Sequence, residues 1–329
     1  MIGSSANAYH SQQREANMFK KITAMCLAGL LTALLASCGT TPNGSAEEGK
    51  LTVIVSFNAM YEFASAVGQD KVSVRTMVPD GMEAHDFEPK AQDIAALSTA
   101  AVFVYSGLGM EPWAEDAISS AANKNLIVVQ ASEGVEAIEI SEEHRDETES
   151  DTETEAHAHG DYDPHTWLSL KAAQIEVENI KNALVKVDPE DAAFYEKNAV
   201  DYIAKLEALY ETYAEKMNGL SEKNFVTGHA AFAYLCRDFG LVQTSVADVF
   251  AEGEPSARQL GELVEFCKAN SIATIFAEAL ASPEVSKTLA DEVGAQVKAI
   301  YTMENAEGGL TYLERMESNL KEIYESLAG

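Results

Sequence analysis

A stretch of roughly 30 residues opened by Asp188-Pro189 and uninterrupted by glycine until Gly219 divides this chain in two. Phe194, Tyr195, Tyr202, Ile203, Leu206, Leu209, Tyr210 and Tyr213 recur along it at helical spacing. Asp188 stands where an N-cap belongs, with Pro189 at the first helical position. The spacing predicts one helix over 189–220, near 45 Å at about 1.5 Å per residue. That is longer than an ordinary domain helix, so it reads as a rigid strut between two lobes.

Each side of the strut alternates short β-rich runs with helical segments. Before it, β-rich runs at 51–56, 71–78, 101–105 and 126–129 are separated by helical segments at 60–67, 91–100 and 112–122. After it, runs at 224–226, 241–245, 273–277 and 296–300 alternate with helical segments at 232–239, 256–270, 284–293 and 312–327. Such alternation predicts α/β lobes with mainly parallel sheets flanked by helices. The expected lobes are 51–188 and 221–329. One segment, 142–163, breaks the pattern: it is acidic, poor in apolar residues, and reads as a surface loop.

The first 50 residues are of another kind. Met18-Phe19-Lys20-Lys21 precedes an apolar run from Ile22 to Ala36, the pattern of a secretory signal and too short for a membrane span. Leu35-Ala36-Ser37-Cys38 resembles a bacterial lipobox, which implies cleavage before Cys38 and lipidation of its sulfur, with 1–37 removed as leader. The Gly-, Ser-, Thr-, Pro- and Glu-rich stretch at 38–50 then serves as a tether. The implied protein is held at a membrane surface outside the cytoplasm and folded in water. A formal net charge of -30 argues against nucleic acid and anionic lipid as partners. Cys236 and Cys267 are the cysteines left in the lobes, with a disulfide and two buried thiols both open.

Of the 7 histidines, His10 lies in the leader and His144, His157 and His159 lie in the acidic loop. His85, His165 and His229 remain, far apart in sequence but each in a loop between predicted elements. His229 follows the run at 224–226, and Glu278 follows the run at 273–277. Open α/β sheets bind ligands beyond the carboxyl ends of their strands. Three imidazoles and one carboxylate form a donor set suited to tetrahedral Zn²⁺. Glu278 is the expected carboxylate, with Asp248 or a water as the alternatives.

Four stretches carry a resemblance to a known family: Val78-Pro-Asp-Gly-Met-Glu-Ala-His-Asp-Phe-Glu-Pro89, Asp163-Pro-His-Thr-Trp167, Thr227-Gly-His-Ala-Ala-Phe-Ala-Tyr234 and Ile275-Phe-Ala-Glu-Ala279. They resemble the zinc-type, ZnuA-like metal-binding lipoproteins of bacterial ABC importers, the cluster A-I solute-binding proteins. The resemblance spans nearly all of the chain after the leader. It implies two α/β lobes joined by one rigid helix, and a cleft site formed by His85, His165, His229 and Glu278. It also implies a monomer that passes Zn²⁺ to a membrane permease driven by an ATPase. Manganese-type relatives often place a carboxylate where His229 stands, or an aspartate shortly after Glu278. Ala279-Leu-Ala-Ser-Pro283 holds none, which favours Zn²⁺ over Mn²⁺. The loop histidines His144, His157 and His159 resemble the metal-capturing loop of zinc-type members, though sparsely; a plain solvated linker is the competing reading.

Two other functions are weighed against the receptor. A zinc hydrolase would need an open coordination position and a general base, and no HExxH motif is present. A surface adhesin would fit the same anchor and acidic surface, and is compatible with metal binding.

Overall fold

The computed structural model describes residues 49–140, 161–249, 256–278 and 283–329. The leader, Cys38, and the loop histidines His144, His157 and His159 lie outside the described residues. Two parallel four-stranded sheets carry the fold. The first has the order β2-β1-β3-β4, built from β1 (Leu51–Val55), β2 (Val72–Thr76), β3 (Val102–Tyr105) and β4 (Ile127–Gln130). The second repeats it as β6-β5-β7-β8, from β5 (Asn224–Thr227), β6 (Val242–Ser245), β7 (Thr274–Ala277) and β8 (Gln296–Ala299). Strand order reverses beside the first strand of each sheet. That geometry opens a crevice at the strands' carboxyl ends.

Helices cover the sheets as the alternation predicts: α1 (Asn58–Gly68), α2 (Ala91–Leu97), α3 (Ala114–Ala121) and α4 (Leu170–Val187) around the first sheet, and α6 (Ala233–Phe239), α7 (Ala257–Ala269), α8 (Pro283–Val293) and α9 (Tyr312–Ala328) around the second. Val53, Ile54 and Val55 are all buried, because β1 is covered on both faces. The strut is α5, Ala192–Asn218, 27 residues. It packs on α1, α4, α6 and α9. Its start differs from the expected one. Pro189–Asp191 forms a separate 3₁₀ turn, and the Asp188 carboxylate accepts the Tyr195 hydroxyl at 2.8 Å instead of capping a backbone N–H.

Alternate residues along β5 and β7 enter different cores. Phe225 and Phe276 join one large core that also holds β1, α1, α4, Trp167 and the apolar face of α9. Val226 and Ile275 point the other way, into a small core with Leu263, Cys267, Leu289 and Ala290 beneath α7 and α8. The inner layer of the second lobe thus shares its core with the first lobe. Buried hydrogen bonds cross the same boundary: Trp167 Nε1 donates to Thr302 O at 2.6 Å, and the Tyr312 hydroxyl donates to Trp167 O at 2.6 Å.

Two further expectations are settled here. Cys236 and Cys267 are both free and buried, so the disulfide reading is dropped. The last residues of the segment 142–163 are structured: Tyr162 forms an antiparallel bridge with Glu139, and Asp163 N donates to Ile138 O at 2.9 Å.

Candidate metal centre

His165 sits in a short turn whose geometry its neighbours set. Asp163, two residues earlier, is buried, and its Oδ1 accepts both His165 N and His165 Nδ1 at 2.9 Å. A carboxylate at Nδ1 fixes the proton there and leaves the Nε2 lone pair for the site. His165 is wholly buried, and its Nε2 meets no hydrogen-bond partner. The preceding strip is held from the second lobe: the Tyr234 hydroxyl donates to Asp163 O at 2.6 Å and accepts Ile138 N at 3.1 Å.

His229 lies in the loop between β5 and α6. Its carbonyl accepts the Thr227 hydroxyl at 2.6 Å and Gln243 Nε2 at 2.7 Å. Its ring lies against His165, with 5.4 Å between ring centroids. Glu278, directly after β7, reaches it from behind: Oε1 accepts His229 N at 3.3 Å and lies 3.5 Å from Nδ1. Burial pulls the His229 imidazole toward the neutral form. Contact with Glu278, and the charges of Glu83 and Asp163, outweigh burial and raise its pKa above the usual value.

The carboxylate that converges on the two imidazoles is Glu304. It follows β8, is buried, and its Oε2 has no hydrogen-bond partner. Donor atoms of His165, His229 and Glu304 all lie within 4.8 Å of one another, the one such grouping among the described residues. Burial, and then the neighbouring Glu83 carboxylate, push the Glu304 carboxyl well above the ordinary range. Sequence reasoning passed over Glu304 although the strand-end rule that selected His229 and Glu278 applies equally beyond β8. The intervening Ile300-Tyr301-Thr302-Met303 hid it, because distance from a strand in sequence is not distance in space.

His85 comes from the loop after β2, with its ring 5.9 Å from that of His165. Its loop is held by Trp113, whose Nε1 donates to Ala84 O at 3.0 Å and whose ring packs on Phe87 at 5.1 Å. Asp248, the alternative carboxylate, gives its backbone carbonyl to Ala230 N at 3.1 Å and is not part of the grouping.

The site is therefore buried, rich in imidazole and carboxylate, and left with uncompensated acceptors. Unpaired buried polar atoms are costly, so a cluster of them marks a place for an ion. The donors fit a borderline-soft divalent cation. Tetrahedral Zn²⁺ with bonds of about 2.1 Å needs donors roughly 3.4 Å apart. A grouping within 4.8 Å reaches that by small side-chain movements.

Comparison with known proteins agrees with the geometry. The family model described as "Zinc-uptake complex component A periplasmic" (ZnuA) matches residues 53–326. The chain is 45% identical over 300 residues to a protein of Treponema pallidum (strain Nichols) named for metal binding, covering 91% of this chain and 94% of that one. It is 40% identical over 318 residues to the high-affinity zinc uptake system protein ZnuA of Bacillus subtilis (strain 168), covering 94% and 99%. Among solved structures, the laminin-binding protein Lmb of Streptococcus agalactiae, described as an adhesin with metal-transporting activity, superposes with a TM-score of 0.75. The identity is 34%, over 84% of this chain and 99% of that one.

Proposed function

The chain belongs to the ZnuA family of zinc-uptake components, and on that premise we propose that it is a zinc-binding receptor of an ABC importer. It captures Zn²⁺ outside the cytoplasm and delivers it to a membrane permease powered by an ATPase. The single observation that carries this reading is the buried convergence of donor atoms of His165, His229 and Glu304 within 4.8 Å; buried unpaired atoms lie on all three and on Glu278.

Within this proposal His85, His165 and His229 supply the imidazoles and Glu304 the carboxylate. Glu278, the carboxylate expected from the sequence, takes a different part here: its Oε1 accepts the His229 backbone N–H and lies 3.5 Å from Nδ1, so it sets the charge beside that ring without bonding to it. The Asp163 carboxylate, bonded to His165 Nδ1, orients that ring and raises its basicity. The product of such a site is a bound ion, so the protein acts as a receptor and not as an enzyme. Cys38 as lipid anchor and the monomeric state belong to the same proposal. So does accessory metal capture by His144, His157 and His159. Among the described residues no helix is long and apolar enough to cross a membrane.

Calorimetric titration of the lobes with Zn²⁺ and with Mn²⁺, alongside His165→Ala, His229→Ala and Glu304→Ala, tests this reading. Tight zinc binding lost in all three variants is expected. Tight Mn²⁺ binding with weak Zn²⁺ binding would overturn the metal assignment.

Adhesion is a second reading, favoured by the likeness to laminin-binding neighbours such as Lmb. Binding to immobilised laminin, with and without saturating zinc, decides it; no retention in either state removes it.

A further inference from the structure

Arg315 is a fully buried arginine on α9 at the boundary between the lobes. Burying a guanidinium is costly unless its donors find acceptors. Nη1 donates to Asn305 O in the second lobe, and Nη2 donates to Asn58 Oδ1 at the start of α1 in the first, at 2.5 Å. Glu62, also on α1, lies 3.6 Å from Nη2. A planar fork that bonds two acceptors on different bodies locks their relative position in a way a flexible ammonium cannot.

The strip that Arg315 holds is the one that carries Glu304. Each of three consecutive residues there is bonded to the first lobe. Glu304 O accepts Asn58 N at 3.1 Å. Asn305 Oδ1 accepts Gly81 N at 2.6 Å, and Ala306 N donates to Asp80 Oδ1 at 3.1 Å. Gly81 has φ +84°, a left-handed conformation that suits glycine, and it lies four residues before His85. The strip leaves β8 at Ala299; Tyr301 is bonded to Asn319 of α9, and residues 304–306 then reach across to α1 and to the His85 loop.

We propose that Arg315 and Asn305 are positioning residues that clamp the Glu304 strip onto the first lobe, so that the carboxylate and the His85 loop meet the ion as one preassembled unit. The role rests on Glu304 being a ligand, as argued above. It assigns the ligand geometry to a clasp outside the coordination shell. A small displacement of the strip then moves the Glu304 carboxylate out of bonding distance, while His165 and His229 keep their own supports.

The test uses Asn305→Ala, which removes the bond to Gly81 but leaves the acceptor for Arg315, and Arg315→Lys, which keeps the charge but loses the fork. Zinc affinity is measured by competition with a chromophoric chelator, and the metal-free melting temperature is read on the same samples. Each variant should weaken zinc binding by about 10- to 100-fold, as loss of outer-shell support does. A structural role alone would lower the melt in every background. The discriminating step is therefore a cycle with Glu304→Ala. If the clasp acts through Glu304, adding Asn305→Ala to Glu304→Ala changes affinity by less than about twofold. Wild-type affinity in Asn305→Ala overturns the proposal, even if Arg315→Lys fails to fold. An equal loss in the Glu304→Ala background also overturns it. Wild-type affinity in Glu304→Ala itself would instead overturn the site, and the clasp with it.

Discussion

Asp163→Asn separates the metal chemistry of this site from its architecture. Asp163 Oδ1 accepts two bonds from His165, one from the backbone N and one from Nδ1, both at 2.9 Å in a buried setting. The asparagine keeps the shape and one carbonyl acceptor but removes the charge. Hydrogen bonds to a charged acceptor contribute about 1.5–3 kcal/mol and neutral ones about 1 kcal/mol, so over the two bonds the metal-free protein should lose roughly 1–4 kcal/mol. The strip itself stays in place, because the Tyr234 hydroxyl and Ile138 bind the backbone of residue 163 and not its side chain. Zinc affinity should fall further than a neutral packing change explains. Without the carboxylate the Nδ1 proton is less firmly held and Nε2 is a weaker donor, a loss of about 10- to 100-fold or roughly 1.4–2.7 kcal/mol. Chelator competition at pH 7.5 reads the affinity, and chemical denaturation of the metal-free protein reads the stability. A variant with wild-type zinc affinity and reduced stability would refute the reasoning, since Asp163 would then support the fold without tuning the ligand.

Three more outcomes follow from the same geometry. Glu304→Gln should cost more zinc affinity than Glu278→Gln, on the order of 100-fold against 10-fold; the reverse order in a competition titration would make Glu278 the ligand. Zinc affinity should fall as pH falls. The metal-free site holds protons on Glu304 and His229 at higher pH than ordinary carboxyls and imidazoles do, and the metal must displace them. Calorimetry in two buffers of different ionisation enthalpy should show proton release, and an affinity constant between pH 8 and 6 would contradict this. Burial pushes the carboxyls of Glu111 and Glu176 up to about 7. The folded chain therefore holds more protons than the unfolded one between pH about 4.5 and 7, and these groups erode stability as pH rises through that window. Glu176→Gln, which keeps the acceptor for the Thr166 hydroxyl, should melt higher than wild type at pH 8 and show less difference at pH 5; equal gains at both pH values would show that ionisation is not the cause.

Much of the architecture was legible because it rests on local signals. The alternation of β-rich runs and helical periods is a short-range property, and it reappears as two sheets of identical strand order. The long helix was legible from its apolar spacing, yet its first turn was not. Asp188 looks like a cap in sequence, but the Tyr195 hydroxyl, one 3₁₀ turn and one helical turn later, claims its carboxylate. Histidines 85, 165 and 229 stood out by type and by loop position, and the fold brings their rings into a row with centroids 5.9 and 5.4 Å apart.

The carboxylate of the proposed site is chosen at another level. Glu278 and Glu304 both follow strands of the second sheet, and no local pattern ranks one above the other. The roles proposed for them separate only when the Glu304 strip is drawn across to Asn58, Gly81 and Asp80, which stand 224 to 246 residues away in the chain. Sequence by itself determined the periodicities and the chemistry on offer, because backbone geometry and side-chain type act over a few residues. Tertiary structure alone decided which donors converge, because convergence depends on packing and hydrogen bonds between segments whose separation along the chain carries no signal.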